Sequence, residues 1–192
     1  FSRLTIDDNK RKQVQMPTIL MFGWAPYVKG VDLAIDACEK INASGNSVRL
    51  CISSQEKTYE YVRKRFSEQP KWLELIPPTN NVSELYQQAT IMLSASRSEG
   101  FSYALQEALY MGLPLICSDI PGTNWTNEFQ SVRTFTSENV KELIEQISAT
   151  VIHEISKNEI QENRDLLQRK YSLDVWAEKT VKIVSDIAKQ RK

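Results

Sequence analysis

Ile91-Met92-Leu93-Ser94-Ala95-Ser96-Arg97-Ser98-Glu99-Gly100-Phe101-Ser102-Tyr103-Ala104-Leu105-Gln106-Glu107-Ala108 passes from an apolar run, through a polar loop, into an amphipathic segment. A short continuous apolar run is the pattern of a strand buried on both faces, and residues after Gly100 carry helical spacing. Glu99 therefore lies in a strand-to-helix loop, and Glu107, with seven residues between them, lies on the helix.

The same alternation repeats on either side. Towards the amino terminus, Thr18–Phe22 is a strand stopped by Gly23, followed by a helical face of Val31, Ala34, Ile35, Cys38 and Ile41 that ends at Ser44-Gly45-Asn46. Residues 48–52 form the second strand, with a helix from about Thr58 whose apolar face is Tyr59, Val62 and Phe66. Leu73–Ile76 is the third strand, ended by Pro77-Pro78, because proline lacks the amide a ladder needs. Residues 82–89 make a short helix before Ile91–Ser94, the fourth strand. Beyond the opening stretch, Gly112 closes the 102–111 helix, residues 114–117 and 132–135 are strands five and six, and the loop 118–128 is long enough to line a site. Ser137 is the expected N-cap of a helix carrying Val140, Leu143, Ile144, Ile147, Val151 and Ile155. Residues 158–168 are mostly polar, anchored by Ile160 and Leu167, and Ser172 begins a last helix with Trp176, Thr180, Ile183 and Ile187 in register.

Alternating strands and helices with near-continuous apolar strands specify an α/β fold: a doubly wound parallel six-stranded Rossmann-like sheet in the order 3-2-1-4-5-6. The expected division is 1–16 as an interdomain linker or edge segment, 17–171 as the Rossmann-like domain, and 172–192 as a C-terminal helix. A start at Phe1 rather than Met suggests part of a longer protein.

Among 192 residues, 24 Lys and Arg offset 24 Asp and Glu, so no global field favours nucleic acid or acidic membranes. Arg63-Lys64-Arg65 reads as a solvated helix face, and His153 as a surface residue on the side away from Ile147 and Val151. Cys38, Cys51 and Cys117 lie apart in apolar segments without zinc or redox spacing, which favours a reduced, intracellular protein. The sequons at Asn42, Asn81 and Asn124 matter only in a secreted protein. No signal peptide or bilayer-spanning run is present.

In an open parallel sheet, loops at the carboxyl ends of the strands converge on a crevice that the following helices face with their amino ends, where anions bind. Two loops suit this: Gly23-Trp24-Ala25-Pro26-Tyr27-Val28-Lys29-Gly30 and Ser98-Glu99-Gly100-Phe101-Ser102. Lys29 offers a point charge to phosphate, Gly100 allows close backbone approach, and the amides of Phe101 and Ser102 complete a cradle. Carboxylates repel phosphate and suit hydroxyls. Glu107 stands about 7–8 Å along the helix from Ser102 at 1.5 Å per residue, roughly the distance from a phosphate to a ribose diol. A diphosphate between two hydroxyl-bearing sugars satisfies both carboxylates.

Glu99 and Glu107 with Gly100-Phe101, Lys29-Gly30 opening the first helix, Ser96-Arg97-Ser98-Glu99-Gly100-Phe101, and Glu107-Ala108-Leu109-Tyr110-Met111-Gly112-Leu113-Pro114-Leu115-Ile116 together resemble the paired-glutamate motif and flanking segments of the family 4, or group 1, retaining glycosyltransferases of GT-B fold. The resemblance runs from about Thr18 to the last helix. It implies a carboxy-terminal, donor-binding half of such an enzyme, with a nucleotide-sugar donor as substrate and no metal or other cofactor. Glu99 would meet hydroxyls of the transferred sugar, Glu107 the ribose diol, and Gly100, Phe101 and Ser102 the sugar and phosphates. Lys29 would take the diphosphate, with Glu99 and Lys29 as the catalytic pair and Gly23 and Trp24 beside the donor. Ile76, Pro77 and Pro78 would open the nucleobase loop. The implied partner is a missing N-terminal acceptor domain, through which the protein would meet the inner face of the membrane peripherally from the cytoplasm. The implied pathways are cell-surface polysaccharide or glycolipid synthesis. The sequence departs from the family in having Trp24 where an arginine is expected, Ser102 where glycine is frequent, and Ser53-Ser54 at the second strand's end. These departures keep open an alternative, a catalytically inactive glycosyltransferase-like scaffold or regulatory module.

Overall fold

The computed structural model describes Leu4 and residues 16–152 and 155–190. Most of the 1–16 segment, and His153, lie outside the described residues. The elements in order are β1 Thr18–Phe22, α1 Val31–Ala43, β2 Arg49–Ser53, α2 Glu56–Arg65, β3 Leu73–Ile76, α3 Val82–Gln88, β4 Ile91–Ser94, α4 Tyr103–Tyr110, β5 Leu115–Asp119, a 3-10 helix at Pro121–Glu128, β6 Val132–Thr136, α5 Val140–Ile152, α6 Lys157–Tyr171 and α7 Leu173–Gln190.

All pairings are parallel, and the strand order β3-β2-β1-β4-β5-β6 is the one expected. Alternation along β1 shows why the strands read as continuous apolar runs. Ile19 and Met21 join the core formed with α1, α2 and α5, whereas Leu20 joins the opposite core with Tyr86, Leu105, Leu109 and Leu167 from α3, α4 and α6. Both faces are covered, so the strands are apolar along most of their length, with buried serines at Ser53, Ser94 and Ser118 near their carboxyl ends. The direction of winding reverses between β1 and β4, which are neighbours, so the loops leaving those two strands open side by side at the sheet's centre.

Several local expectations change. The 118–128 loop is largely a 3-10 helix, tied by the Thr123 hydroxyl, which donates towards the carbonyls of Ser118 (2.6 Å) and Ile120 (2.9 Å). β5 begins at Leu115 rather than Pro114, whose carbonyl accepts from the Met92 amide at 3.0 Å, and it runs on to Asp119 opposite Thr136. Asn139, not Ser137, caps α5: its Oδ1 accepts from the Glu142 amide at 3.1 Å while the Glu142 carboxylate accepts from the Thr136 amide at 2.8 Å. Glu138 makes this turn at a left-handed φ of 68°. Ile155 lies beyond the described end of α5. The polar 158–168 segment belongs to α6, started by a reciprocal Ser156–Glu159 capping box and anchored by Leu167, which is fully buried. Arg65 departs from the solvated-face reading, since it bridges to Asp36 and Glu39 of α1 at 2.7 Å each. The described residues leave the apolar stripe of α7 uncovered, Trp176 being 64% and Ile183 60% exposed. No described helix is long and apolar enough to cross a membrane.

Candidate functional site

The loop after β1 folds back on itself. The Lys29 amide donates to the Ala25 carbonyl (2.8 Å), the Gly30 amide to Tyr27 (3.1 Å) and the Val31 amide to Pro26 (2.9 Å). Gly30 precedes α1 at φ 64°, and a side chain there would place its Cβ 1.9 Å from the Ala95 carbonyl oxygen. This left-handed glycine lets the first loop lie directly on the exit of β4. Gly23 is equally constrained from within: a Cβ would come within 2.6 Å of Ile52 and 2.8 Å of Val31. Its amide donates to Ser53 and its carbonyl accepts from the Thr58 hydroxyl.

Close loop packing brings together two residues 70 positions apart: the Lys29 ammonium pairs with Glu99 Oε1, both side chains only 13% exposed. Ser96 Oγ donates to the same oxygen at 3.2 Å. Trp24 is 54% exposed, and the Lys29 nitrogen lies 5.3 Å from its ring centroid. The indole thus meets the loop's cation in a cation–π contact. Gly122, on the 3-10 helix, packs so close that a Cβ would approach the Glu99 carbonyl oxygen to 2.2 Å, whereas one on Gly100 would meet nothing within 4 Å. Gly100 is accordingly open to an approaching ligand on the side where a Cβ would stand, while its carbonyl faces Gly122.

Phe101 is half exposed and meets Tyr103 edge-on and Trp125 and Tyr171 at a tilt, their ring centroids lying 5.1–6.3 Å from its own. Ser102 precedes α4 without a side-chain capping bond, leaving that helix's amino end to other partners. One turn on, Glu107 Oε2 accepts from the Tyr86 hydroxyl at 2.8 Å. Burial first, and the Glu107 carboxylate second, raise the Tyr86 phenol well above its ordinary range, so it stays a donor. Ile76 leans into the core beside α3 and α4, and its carbonyl accepts from the Ser54 amide at 2.9 Å, while Pro77 and Pro78 are exposed. The Ser54 hydroxyl is buried with no partner. Among the described residues, no three metal-ligating side chains converge. The cysteines are free and buried; burial pushes Cys38 and Cys51 up to about 12, as inert packing thiols.

Sequence reasoning brought Lys29 and Glu99 to neighbouring loops but not into contact, and it missed Arg97. The Arg97 guanidinium grips Asp32 through both terminal nitrogens (2.9 and 2.8 Å) and donates through Nε to Glu138 at 2.9 Å. Its signal was present as a lone arginine inside the motif, but Asp32 and Glu138 lie 65 and 41 residues away.

A family model described as "Glycosyl transferases group 1" matches residues 2–165. Over 98 residues, 49% of this chain, the sequence is 36% identical to the UDP-N-acetylglucosamine–peptide N-acetylglucosaminyltransferase GtfA subunit of Streptococcus pneumoniae, and the match spans 19% of that protein. Sucrose-phosphate synthase from Thermosynechococcus elongatus superposes with a TM-score of 0.80 at 14% identity, covering 98% of this chain and 51% of that one. Anabaena HepE, solved with UDP and glucose, gives 0.76 at 12% identity, covering 96% and 54%. The chain thus spans about half the length of these two structures and a fifth of the GtfA subunit.

Proposed function

The chain belongs to the group 1 glycosyl transferases, and on that premise we propose that it binds the donor, a nucleoside-diphosphate sugar, in a retaining sugar transfer completed by a second, acceptor-binding domain. The observation that carries this reading is the meeting of Lys29 and Glu99 beside the open backbone of Gly100, at the switch point between β1 and β4. An ammonium has three donors, so Lys29 can hold Glu99 and still donate to a diphosphate oxygen. Glu99 and Glu107 accept hydrogen bonds from hydroxyls of the transferred sugar and of the ribose. In the transfer, the bond from the anomeric carbon to the diphosphate oxygen breaks with its electron pair passing to that oxygen, and the acceptor oxygen bonds to the anomeric carbon on the same face. The acceptor's proton goes to the departing phosphate. Lys29 and the amino end of α4 stabilise the charge that develops on the leaving group, and the scheme draws on no metal ion. The donor loops supply no acceptor site in this scheme, and the uncovered stripe of α7 offers a surface to the domain that does.

The structural neighbour HepE, solved with UDP and glucose and with UDP-glucose, makes uridine diphosphate the first probe. Calorimetric titration of the chain with uridine, guanosine and adenosine diphosphates is expected to show one that binds, weakened roughly tenfold or more in Lys29→Met by loss of a charge-assisted contact. A folded protein that binds none of the three overturns the reading. Trp24, standing where a second cation was expected, favours one other reading, an inactive binding module. Donor turnover by the full-length protein separates the two.

A further inference from the structure

We propose that Arg97 is a positioning residue of the donor site, a clasp that holds the 23–30 loop against the exit of β4 and so sets Lys29 beside Glu99. This deepens the donor-site reading and rests on it.

Within residues 24–29, the main-chain hydrogen bonds that reach beyond the loop and the start of α1 both lead to Arg97. Its amide donates to the Val28 carbonyl at 2.8 Å, and its Nη1 donates to the Tyr27 carbonyl at 2.6 Å. Those two carbonyls immediately precede Lys29, so their position fixes where the ammonium is delivered. The guanidinium carbon also lies 4.1 Å from the Tyr27 ring centroid, closing the loop from its outer side. Asp32, at the start of α1, takes both terminal nitrogens, and Glu138, beyond β6, takes Nε. One planar fork therefore joins the β1 loop, the first turn of α1 and the turn before α5.

Charge and geometry exclude the competing role of a phosphate ligand in place of the cation that Trp24 does not provide. Two carboxylates offset Arg97, its three nitrogens are all engaged, and its side chain is only 13% exposed. Glu138 adopts φ 68° at the position from which it reaches Arg97. A left-handed non-glycine residue persists where its surroundings over-determine it, and the Arg97 contact is one such constraint.

The test compares the wild-type chain with Arg97→Met, Asp32→Asn and Arg97→Lys. Uridine diphosphate affinity is measured by calorimetry, and the loop by the Trp24 indole N–H signal, assigned through Trp24→Phe among the four tryptophans. The expected result is a Trp24 signal that shifts or broadens in all three variants while Trp72, Trp125 and Trp176 stay in place. Affinity should fall roughly tenfold or more with it. Arg97→Lys keeps the charge but loses the fork, so wild-type behaviour in that variant overturns the clasp, as does an unmoved Trp24 signal with unchanged affinity in Arg97→Met and Asp32→Asn. Should Arg97→Met fail to fold, Asp32→Asn with Glu138→Gln decides alone. If wild-type protein binds no diphosphate, the donor reading fails and the Trp24 signal still decides whether Arg97 holds the loop.

Discussion

Glu99 and Glu107 are the same residue type on one strand-loop-helix unit, yet they are held in opposite ways. Glu99 faces a cation from the far side of the sheet's switch point, and its loop is pressed between two glycines, Gly30 against Ala95 and Gly122 against Glu99 itself. Glu107 faces a neutral phenol from the adjacent α3, in a position that only orients it. The first end depends on a charge balance and on backbone approach closer than any side chain permits. The second depends on one hydrogen bond. Damage at the Glu99 end should therefore reach both chemistry and fold, and damage at the Glu107 end should stay local.

On the proposed transfer, the largest effect is expected from Glu99→Ala in the full-length protein. Donor consumption should fall by roughly a hundred- to a thousandfold, the scale on which removing one preorganised polar partner of a reacting group acts. Glu107→Ala should cost less, and chiefly in donor affinity. Steady-state kinetics on the two variants break the comparison if Glu107→Ala is the more damaging.

Gly30→Ala probes the backbone half of the contrast. A left-handed alanine costs about 1–3 kcal/mol, before any cost of the collision with the Ala95 carbonyl. For a domain of this size each kcal/mol lowers Tm by roughly 2–4 °C, so a fall of several degrees in thermal unfolding is expected. Gly100→Ala is the control: its Cβ meets no atom within 4 Å, so Tm should hold while diphosphate affinity falls. Equal Tm losses in the two variants would show that close loop packing is not what distinguishes the Glu99 end.

How far these features were legible follows from what enforces them. β1 and β4 were readable to the residue because burial on both faces demands a near-continuous apolar run, and β3, an edge strand with Glu74 exposed, because Pro77 stops it. The strand order followed from alternating elements and right-handed crossovers. The placement of Lys29 and Glu99 on neighbouring loops and of Glu107 on the following helix was readable because the spacing of the motif carries it, while their roles towards a donor belong to the proposal. Arg97 was not, since its meaning lies in Asp32, Glu138 and the Tyr27 carbonyl, all distant in sequence. The start of α5 misled for a related reason. Ser137 is as good an N-cap by type as Asn139, and only the left-handed turn at Glu138, which no local pattern announces, selects between them.

Tyr86→Phe is the mildest change and the most direct probe of the Glu107 end. Phenylalanine keeps the ring that packs at 5.9 Å from Phe22 and removes only the hydroxyl, so at neutral pH the loss should be about 0.5–1.5 kcal/mol. The sign of its pH dependence separates a buried, carboxylate-facing phenol from a solvated one. The folded-state pKa of Tyr86 is raised, first by burial and then by Glu107, so its stabilising contribution is fully present below the unfolded value of 10.0 and is lost as pH rises above it. Wild-type Tm should therefore fall more steeply between pH 9 and 11, about one unit either side of that value, than the Tm of a variant with nothing to ionise there, and the two curves should converge. Ionisation of the cysteines and of Tyr171 is common to both proteins and cancels in the difference. Parallel curves would mean that Tyr86 ionises as readily folded as unfolded. The neutral end of the contrast would then be lost, because a phenolate beside Glu107 repels the carboxylate that it is supposed to orient.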